Sequence, residues 1–576
     1  MLLTVSAIAG IFRFYMRRLL IGVSRKIEYD IRKDLFSHIQ TLDPAFFLNN
    51  KTGSIMALIT NDLDAVRNFL GPGLLNLFNT TFIFISTLIV MFFINVKLTL
   101  YTLIAVPLLP IIVSRLNAML HQRFKASQEH YAYISGRTQE NLAGIKVVKS
   151  FAQEEKEISL FSKLNKEYIT KNMSLAMVRS IFWSSMIFIG GIGSLVVLLV
   201  GGRQVILNNL TLGQFVQFSA YIISITWPLI SLGWVINLVQ RGEVSMGRIN
   251  NIFNIKPKLE AKNLIDSSNT SADLDSDIKL GLDTDIDTDK KDKNTDKFYY
   301  KNLDKLYTNI EGDINFEGVY FKFLENQKDW VLKNINVEIP FKSKVGIVGF
   351  TGSGKTALVN LIPRLYEPQK GKITIVKTVK ENLAKIPIEL IPVKMLRAKI
   401  GYVTQDVFIF SKTIKENIIY GKEEYFISNG LSEQEIEQLI ISASKIAHLH
   451  EDVETFPNGY DTLVGERGIM LSGGQKQRLA IARALIIKPS ILILDDSFSS
   501  IDTQTEELIL QDLKKVTKDV TTIIISHRIS TIKEADLILV LDSGQIIDKG
   551  SHKELIKKCD IYQRLYKLQQ LKELIE

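Results

Sequence analysis

The sequence predicts two parts of different class, an all-α polytopic membrane domain followed by an α/β domain. Three observations predict it. Apolar runs crowd residues 1–245, and a membrane helix takes about 20 such residues. An acidic, polar stretch over 256–312 then interrupts the chain. From 313 to 576 short apolar runs alternate with polar helical segments and glycine turns, which is the rhythm of an α/β domain.

The chain has 576 residues, too many for one core. Its mean hydropathy, +0.12, is high for a soluble protein. The net charge of +9 could suggest nucleic acid. Many of the basic residues, however, lie between apolar runs near the N-terminus, where the positive-inside rule accounts for them. No recognised nucleic-acid module is present, so no nucleic-acid partner is expected. Cys559 is the single cysteine, which excludes an intrachain disulfide.

Five membrane helices are expected, at 1–22, 74–94, 97–117, 180–201 and 213–237. The first carries Arg13, Arg17 and Arg18 toward its far end. A secretory signal would put its charge before the apolar run. The long loops, 24–71 and 116–178, are basic, whereas Asn95–Val96–Lys97 reads as a tight hairpin and 202–212 is short. The long loops and the α/β domain therefore face the cytoplasm, and the protein is expected to be multi-pass in a cell (inner or plasma) membrane, with its N-terminus outside. Pro107, Pro110 and Pro228 fall inside spans and read as packing kinks ahead of hinges. Gln214, Gln217, Tyr221, Trp227 and Trp234 punctuate the last span. Polar groups there usually face a bundle interior or a cavity, so a substrate-lining role is open to them.

Residues 256–312 form a linker too poor in apolar side chains to offset the entropy of ordering, and disorder is expected. Asp273–Asp277 and Asp283–Asp287 start like calcium loops but lack the glycine and the closing glutamate.

The chemistry lies in the last part. Gly349-Phe350-Thr351-Gly352-Ser353-Gly354-Lys355-Thr356 fits G-x-x-x-x-G-K-[ST] at every fixed position. An apolar strand, 345–348, enters it and a helix-forming run, 357–365, leaves it. Such glycines let backbone N–H groups converge on a phosphate, and the helix N-terminus adds positive potential. Lys355 would reach the β and γ phosphates and the Thr356 hydroxyl would ligate Mg²⁺. The second domain is thus a P-loop nucleotide-binding domain, with ATP and Mg²⁺ as expected cofactors. A second apolar strand, 491–494, ends in Asp495, a position suited to holding Mg²⁺. Asp496 follows, where such an ATPase carries its water-activating carboxylate. Ser472-Gly473-Gly474-Gln475 precedes a helical run, 477–485, and is a second phosphate-binding device, redundant unless it serves another nucleotide. His527, after a strand at 522–526, is placed to contact a γ-phosphate.

The phosphate loop, Val403-Thr404-Gln405, Leu471–Gln475, Ile491–Asp495, Ser499-Ser500-Ile501-Asp502 and Ser526-His527 occur in the order found in ATP-binding cassette (ABC) proteins. The chain resembles that family over nearly its whole length apart from the linker. Its membrane half resembles type IV exporter half-transporters, related to bacterial multidrug and lipid flippases. Arg32–Leu35, Phe46-Phe47, Thr52-Gly53 and Asn61-Asp62 resemble the first cytoplasmic loop of that fold, and Glu140–Ile145 the second. The resemblance implies two nucleotide domains packed head to tail around two ATPs. Each ATP then touches the phosphate loop of one chain and Ser472–Gln475 of the other, with Asp502 also contributing. It implies adenine stacking on Phe323, a Mg²⁺ and water contact for Gln405, and transmission through short helices near 52–62 and 135–144, with Glu466 in a nearby loop.

Three departures stand out. Asp496 replaces the family's glutamate and is one methylene shorter, which implies a slow, ATP-retaining site in one chain of a heterodimer; a homodimer is the other arrangement. The family has six spans and this chain opens inside what matches the second, so one helix is expected to be missing, either because the start is internal to a longer gene or because the product is truncated. The run 377–391 looks like a surface insertion. The resulting expectation is ATP-driven export of a small molecule, lipid or peptide by half of a dimeric exporter. The rival is an ATP-binding regulatory subunit or an inactive truncated half, and the transported molecule stays open.

Overall fold

The computed structural model describes residues 1–103, 108–257, 310–325, 327–379, 382–428, 430–465 and 468–573. Most of the expected linker, both calcium-like runs, Pro107 and Glu466 lie outside the described residues. The described chain divides into two compact units, 1–41 with 51–256, and 42–50 with 257–576.

Among the described residues of the first unit, all the regular secondary structure is helical. Its long elements are Leu2–Thr41, a continuous rod from Thr52 to Ile94, Leu108–Ala143, Glu154–Val196 and Leu212–Phe253. The rod Thr52–Ile94 contains two π-turns, Leu58–Asp62 and Phe69–Gly73. Pro72 lies in the second, where its missing N–H could not close an ordinary α-turn. By length and apolar composition Thr52–Ile94 is long enough to cross a membrane, while Gly191–Ile206 and Leu212–Ile225 are shorter apolar stretches. The run at 97–117 passes through 104–107, outside the described residues.

The expected hairpin at 95–97 is a one-residue break. Asn95 is extended, its Oδ1 accepts from Leu98 N at 2.9 Å and so caps the next helix, and its Nδ2 donates to Gln204 Oε1 at 2.7 Å. Met91, Leu98, Val197, Phe218 and Ile225 form the apolar core at this end. Deeper along the same helices, the Thr80 and Ser231 hydroxyls meet at 3.0 Å. Toward the loops, buried Glu28 gathers Arg25, Arg32 and Arg67, and Asp62 accepts from Ser245 at 2.7 Å. Two expectations change here. Gln214 closes a capping box with Thr211 at the start of its helix and so serves the helix end. Residues 135–143 are the tail of Leu108–Ala143, and the separate short helix is Ile145–Ser150, because Gly144 ends the rod with φ −91°.

The second unit holds two sheets. One is antiparallel, built from β1 (Ile310–Phe321), β2 (Leu332–Ile339), β4 (Lys370–Val379) and β5 (Asn382–Pro387), in the order β2-β1-β4-β5. The other orders β10-β9-β3-β8-β7-β6, from β3 (Lys344–Val348), β6 (Ile400–Val403), β7 (Ile491–Asp495), β8 (Thr521–Ile525), β9 (Leu537–Asp542) and β10 (Gln545–Gly550). Pairings in this sheet are parallel except β10 with β9. Strands β7 and β8 are buried at every residue, which is why neither alternates polar with apolar (apolar at 491–494 in β7 and at 523–525 in β8); β10, at the edge, alternates in burial.

The helix after the phosphate loop is Lys355–Asn360, shorter than the expected 357–365. Pro363 excludes α geometry at the residue before it, and the chain tightens through Leu361 and Ile362 instead. The run 377–391 is only partly a surface feature. It makes the β4–β5 hairpin, then turns inward at Ile388 and Ile391, both buried. Arg364, itself 1% exposed, pins that segment by donating to the carbonyls of Ile388, Glu389 and Ile391 at 3.0–3.3 Å.

Candidate nucleotide site

Strand β3 delivers the chain to Gly349, where a Cβ would lie 2.1 Å from the Leu541 carbonyl, so only glycine passes. Gly352 and Gly354 take φ of +84° and +99°, the left-handed region that glycine enters without strain. Lys355 follows. Its Nζ donates to the carbonyls of Gly349 and Phe350, each at 2.9 Å, so the ammonium lies inside the loop. Burial pulls its pKa down, while Asp495 and Asp496 pull it back up.

Thr356 Oγ1 donates to Asp495 Oδ1 at 3.2 Å. Asp495 closes β7 and is 1% exposed. Its Oδ2 is buried without a hydrogen-bond partner. Burial and neighbouring Asp496 push its pKa up to about 6, against the Thr356 bond and Lys355. A buried oxygen lacking a partner beside a hydroxyl and an amide is a donor set that suits a hard divalent cation. Asp496 lies half-buried with φ +48°, a conformation in which aspartate is enriched several-fold over most residues, and its N–H donates to Ile525 O at 3.0 Å. The His527 pKa is lowered by partial desolvation in the cleft and by Lys355, against Asp496.

These groups share a cleft of about 240 Å³. Of the residues expected from sequence it brings together Phe323, Thr351, Gly352, Gly354, Lys355, Thr356, Gln405, Asp495, Asp496 and His527. Gly349 and Ser353 shape the loop from behind, and the Ser353 hydroxyl is buried without a partner. Ser472, Gly473, Gly474, Gln475 and Asp502 do not line it. Ser472 instead caps the helix Gly473–Leu485, accepting from Gln475 N, and Asp502 caps Thr503–Val516, accepting from Thr505 N. Ser472 and Asp502 are both exposed.

Tyr366 and Val331 escaped sequence reasoning. Val331 lines the cleft, and Tyr366 packs edge-on against Phe323 at 5.2 Å between ring centroids. Phe323 is further held by Phe321 at 5.0 Å. An adenine stacked on so fixed a ring loses little entropy to ring ordering. Phe323→Ala should weaken ATP binding about tenfold, the loss of one aromatic–base stack. Titration with a fluorescent ATP analogue reads this, and unchanged affinity would place adenine elsewhere.

The ABC transporter transmembrane region matches residues 1–229, and the ABC transporter domain matches 332–499. The chain is 34% identical over 567 residues to the probable multidrug resistance ABC transporter ATP-binding/permease protein YheI of Bacillus subtilis (strain 168), covering 98% of this chain and 87% of that one. It is 31% identical over 573 residues to the multidrug resistance-like ATP-binding protein MdlA of Escherichia coli (strain K12), covering 99% and 87%. Among solved structures, a bacterial Atm1-family ABC exporter with ATP bound has a TM-score of 0.73 at 24% identity, over 98% of this chain and 90% of that one, a likeness of fold. The helical part is the transmembrane domain, and the α/β part is a cytoplasmic domain that binds ATP and couples it to transport. With two-domain relatives matched along nearly its whole length, the chain belongs to the ABC transporter family.

Proposed function

We propose that this chain is one half of a dimeric, ATP-driven exporter, multi-pass in the cell membrane, whose own phosphate loop serves a slow ATP site. The observation that carries this reading is Asp496. It stands in the cleft with Lys355, Asp495 and His527, where the water-activating base must act, and its carboxylate is one methylene shorter than a glutamate. General acid–base groups contribute roughly 10²–10⁴-fold, and much of that is forfeited when the base is misplaced. Support for multi-pass topology comes from the long helices that cover the spans expected at 1–22, 74–94, 180–201 and 213–237 and from outward apolar side chains such as Phe12 and Leu19 on the first.

In this reading Lys355 and the loop N–H groups hold the β and γ phosphates, Phe323 stacks on adenine, and His527 donates to the γ-phosphate. Thr356, Asp495 and Gln405 would hold Mg²⁺, which would supply neutralisation of charge on the phosphate oxygens. Asp496 and Gln405 orient the attacking water. Ser472–Gln475 and Asp502, absent from this chain's own cleft, serve ATP on the partner's phosphate loop, so the two devices are not redundant. A partner with glutamate at the equivalent position is favoured over a second copy. The test is the ATPase rate of the purified chain alone against the chain co-expressed with such a partner. Turnover should be at least tenfold slower alone, given the size of the base's contribution. Fast turnover by the isolated chain would overturn the slow-site reading.

A further inference from the structure

Gln477 is two residues beyond the Ser472–Gln475 turn, on the helix Gly473–Leu485, and is 5% exposed. Both ends of its amide are engaged. Oε1 accepts from Ser500 N at 2.9 Å, and Nε2 donates to Ser499 Oγ at 2.8 Å. The orientation follows from chemistry: a backbone N–H can only donate, so the oxygen must face Ser500 and the NH₂ must face Ser499. The Ser499 hydroxyl accepts from Gln477 and donates its own proton to the Asp496 carbonyl, at 3.1 Å. Asp496 is thus held at its N–H by β8 and at its carbonyl by Ser499 twice, through the backbone N–H at 3.4 Å and through the hydroxyl that Gln477 orients. The Ser472–Gln475 turn rests on the same segment. A Cβ on Gly473 would lie 3.1 Å from Ser500 Cβ, and one on Gly474 would lie 3.0 Å from Ser500 O.

We propose that Gln477 is a positioning residue for Asp496, setting the backbone angle from which its carboxylate addresses the water in this chain's own ATP site. The inference rests on the proposed role of Asp496. Because the same helix begins with the turn assigned to the partner's nucleotide, a shift of that turn is passed through Gln477 and Ser499 to Asp496.

Gln477→Glu tests this with an isosteric change. A carboxylate still accepts from Ser500 N but cannot donate, so the Ser499 hydroxyl turns to it and leaves the Asp496 carbonyl to the Ser499 N–H alone. The measurement is single-turnover ATP hydrolysis by the full-length chain in lipid nanodiscs, beside affinity for a fluorescent ATP analogue. The rate constant should fall about fivefold, one hydrogen bond's worth, with affinity unchanged. Ser499→Ala should give the same loss, and the two together should not add. In an Asp496→Asn background Gln477→Glu should cost nothing further. A wild-type rate, a loss that persists in that background, or a loss that follows nucleotide affinity would overturn the proposal. Lys355→Ala separates the two layers. If it leaves nucleotide binding intact, the reading of the site fails. If it abolishes binding while Gln477→Glu keeps the wild-type rate, only the role of Gln477 fails.

Discussion

Lys355→Ala should abolish ATP turnover and weaken nucleotide binding by about 100-fold or more. The lysine ammonium is the one cation among the cleft-lining residues, and the rest of the loop can offer a phosphate only uncharged N–H and hydroxyl donors. Hydrogen bonds to charged groups contribute about 1.5–3 kcal/mol each, and two phosphate contacts account for the factor expected. The fold should survive. The side chain's own bonds go to the carbonyls of Gly349 and Phe350, and the loop shape is set by Gly349, Gly352 and Gly354 instead. Lys355→Arg is a harsher substitution than its charge suggests, since the lysine is 7% exposed and a guanidinium needs more room. Equilibrium binding of a fluorescent ATP analogue, with circular dichroism to check the fold, measures the effect. Near-normal affinity in Lys355→Ala would mean that phosphate is held elsewhere.

Asp496→Glu should raise the ATPase rate of the chain by about 10–100-fold, restoring part of a general base's contribution. The added methylene carries the carboxylate further into the cleft, toward the space bounded by Gln405 and His527. The gain is partial for a backbone reason. At φ +48° aspartate is tolerated better than glutamate, so the longer side chain arrives with some strain. Asp496→Asn should do the reverse and take away what turnover there is, with ATP affinity kept. Phosphate release by wild type and both variants decides. If all three hydrolyse at one rate, the carboxylate at 496 is not the base, and the regulatory-subunit reading gains.

Much of the site was legible because its chemistry is local. The glycines, Lys355 and Thr356 lie in eight consecutive residues, and Asp495 ends an apolar run that can only be a buried strand. Long apolar runs likewise announced a membrane part without any knowledge of packing. Misjudged elements were those whose outcome depends on one neighbour. Pro363 cut the helix after the loop short, Gly144 moved a short helix to Ile145–Ser150, and Gln214 went to a cap. The segment read as a surface insertion turned inward because Arg364, distant in sequence, needed its carbonyls.

From the sequence alone came the two classes of domain and the order of motifs, and the family resemblance that those motifs carry marked the aspartate standing in place of a glutamate. These depend on residue type and on spacing within a few positions, which backbone conformation reads directly. Tertiary structure decided that Tyr366 braces Phe323, that one oxygen of Asp495 is left without a partner beside Thr356, and that Gln477 reaches Asp496 through Ser499. Each of those requires residues brought together from separate elements, and the register and order of strands that bring them together are set by the packing of the whole α/β unit.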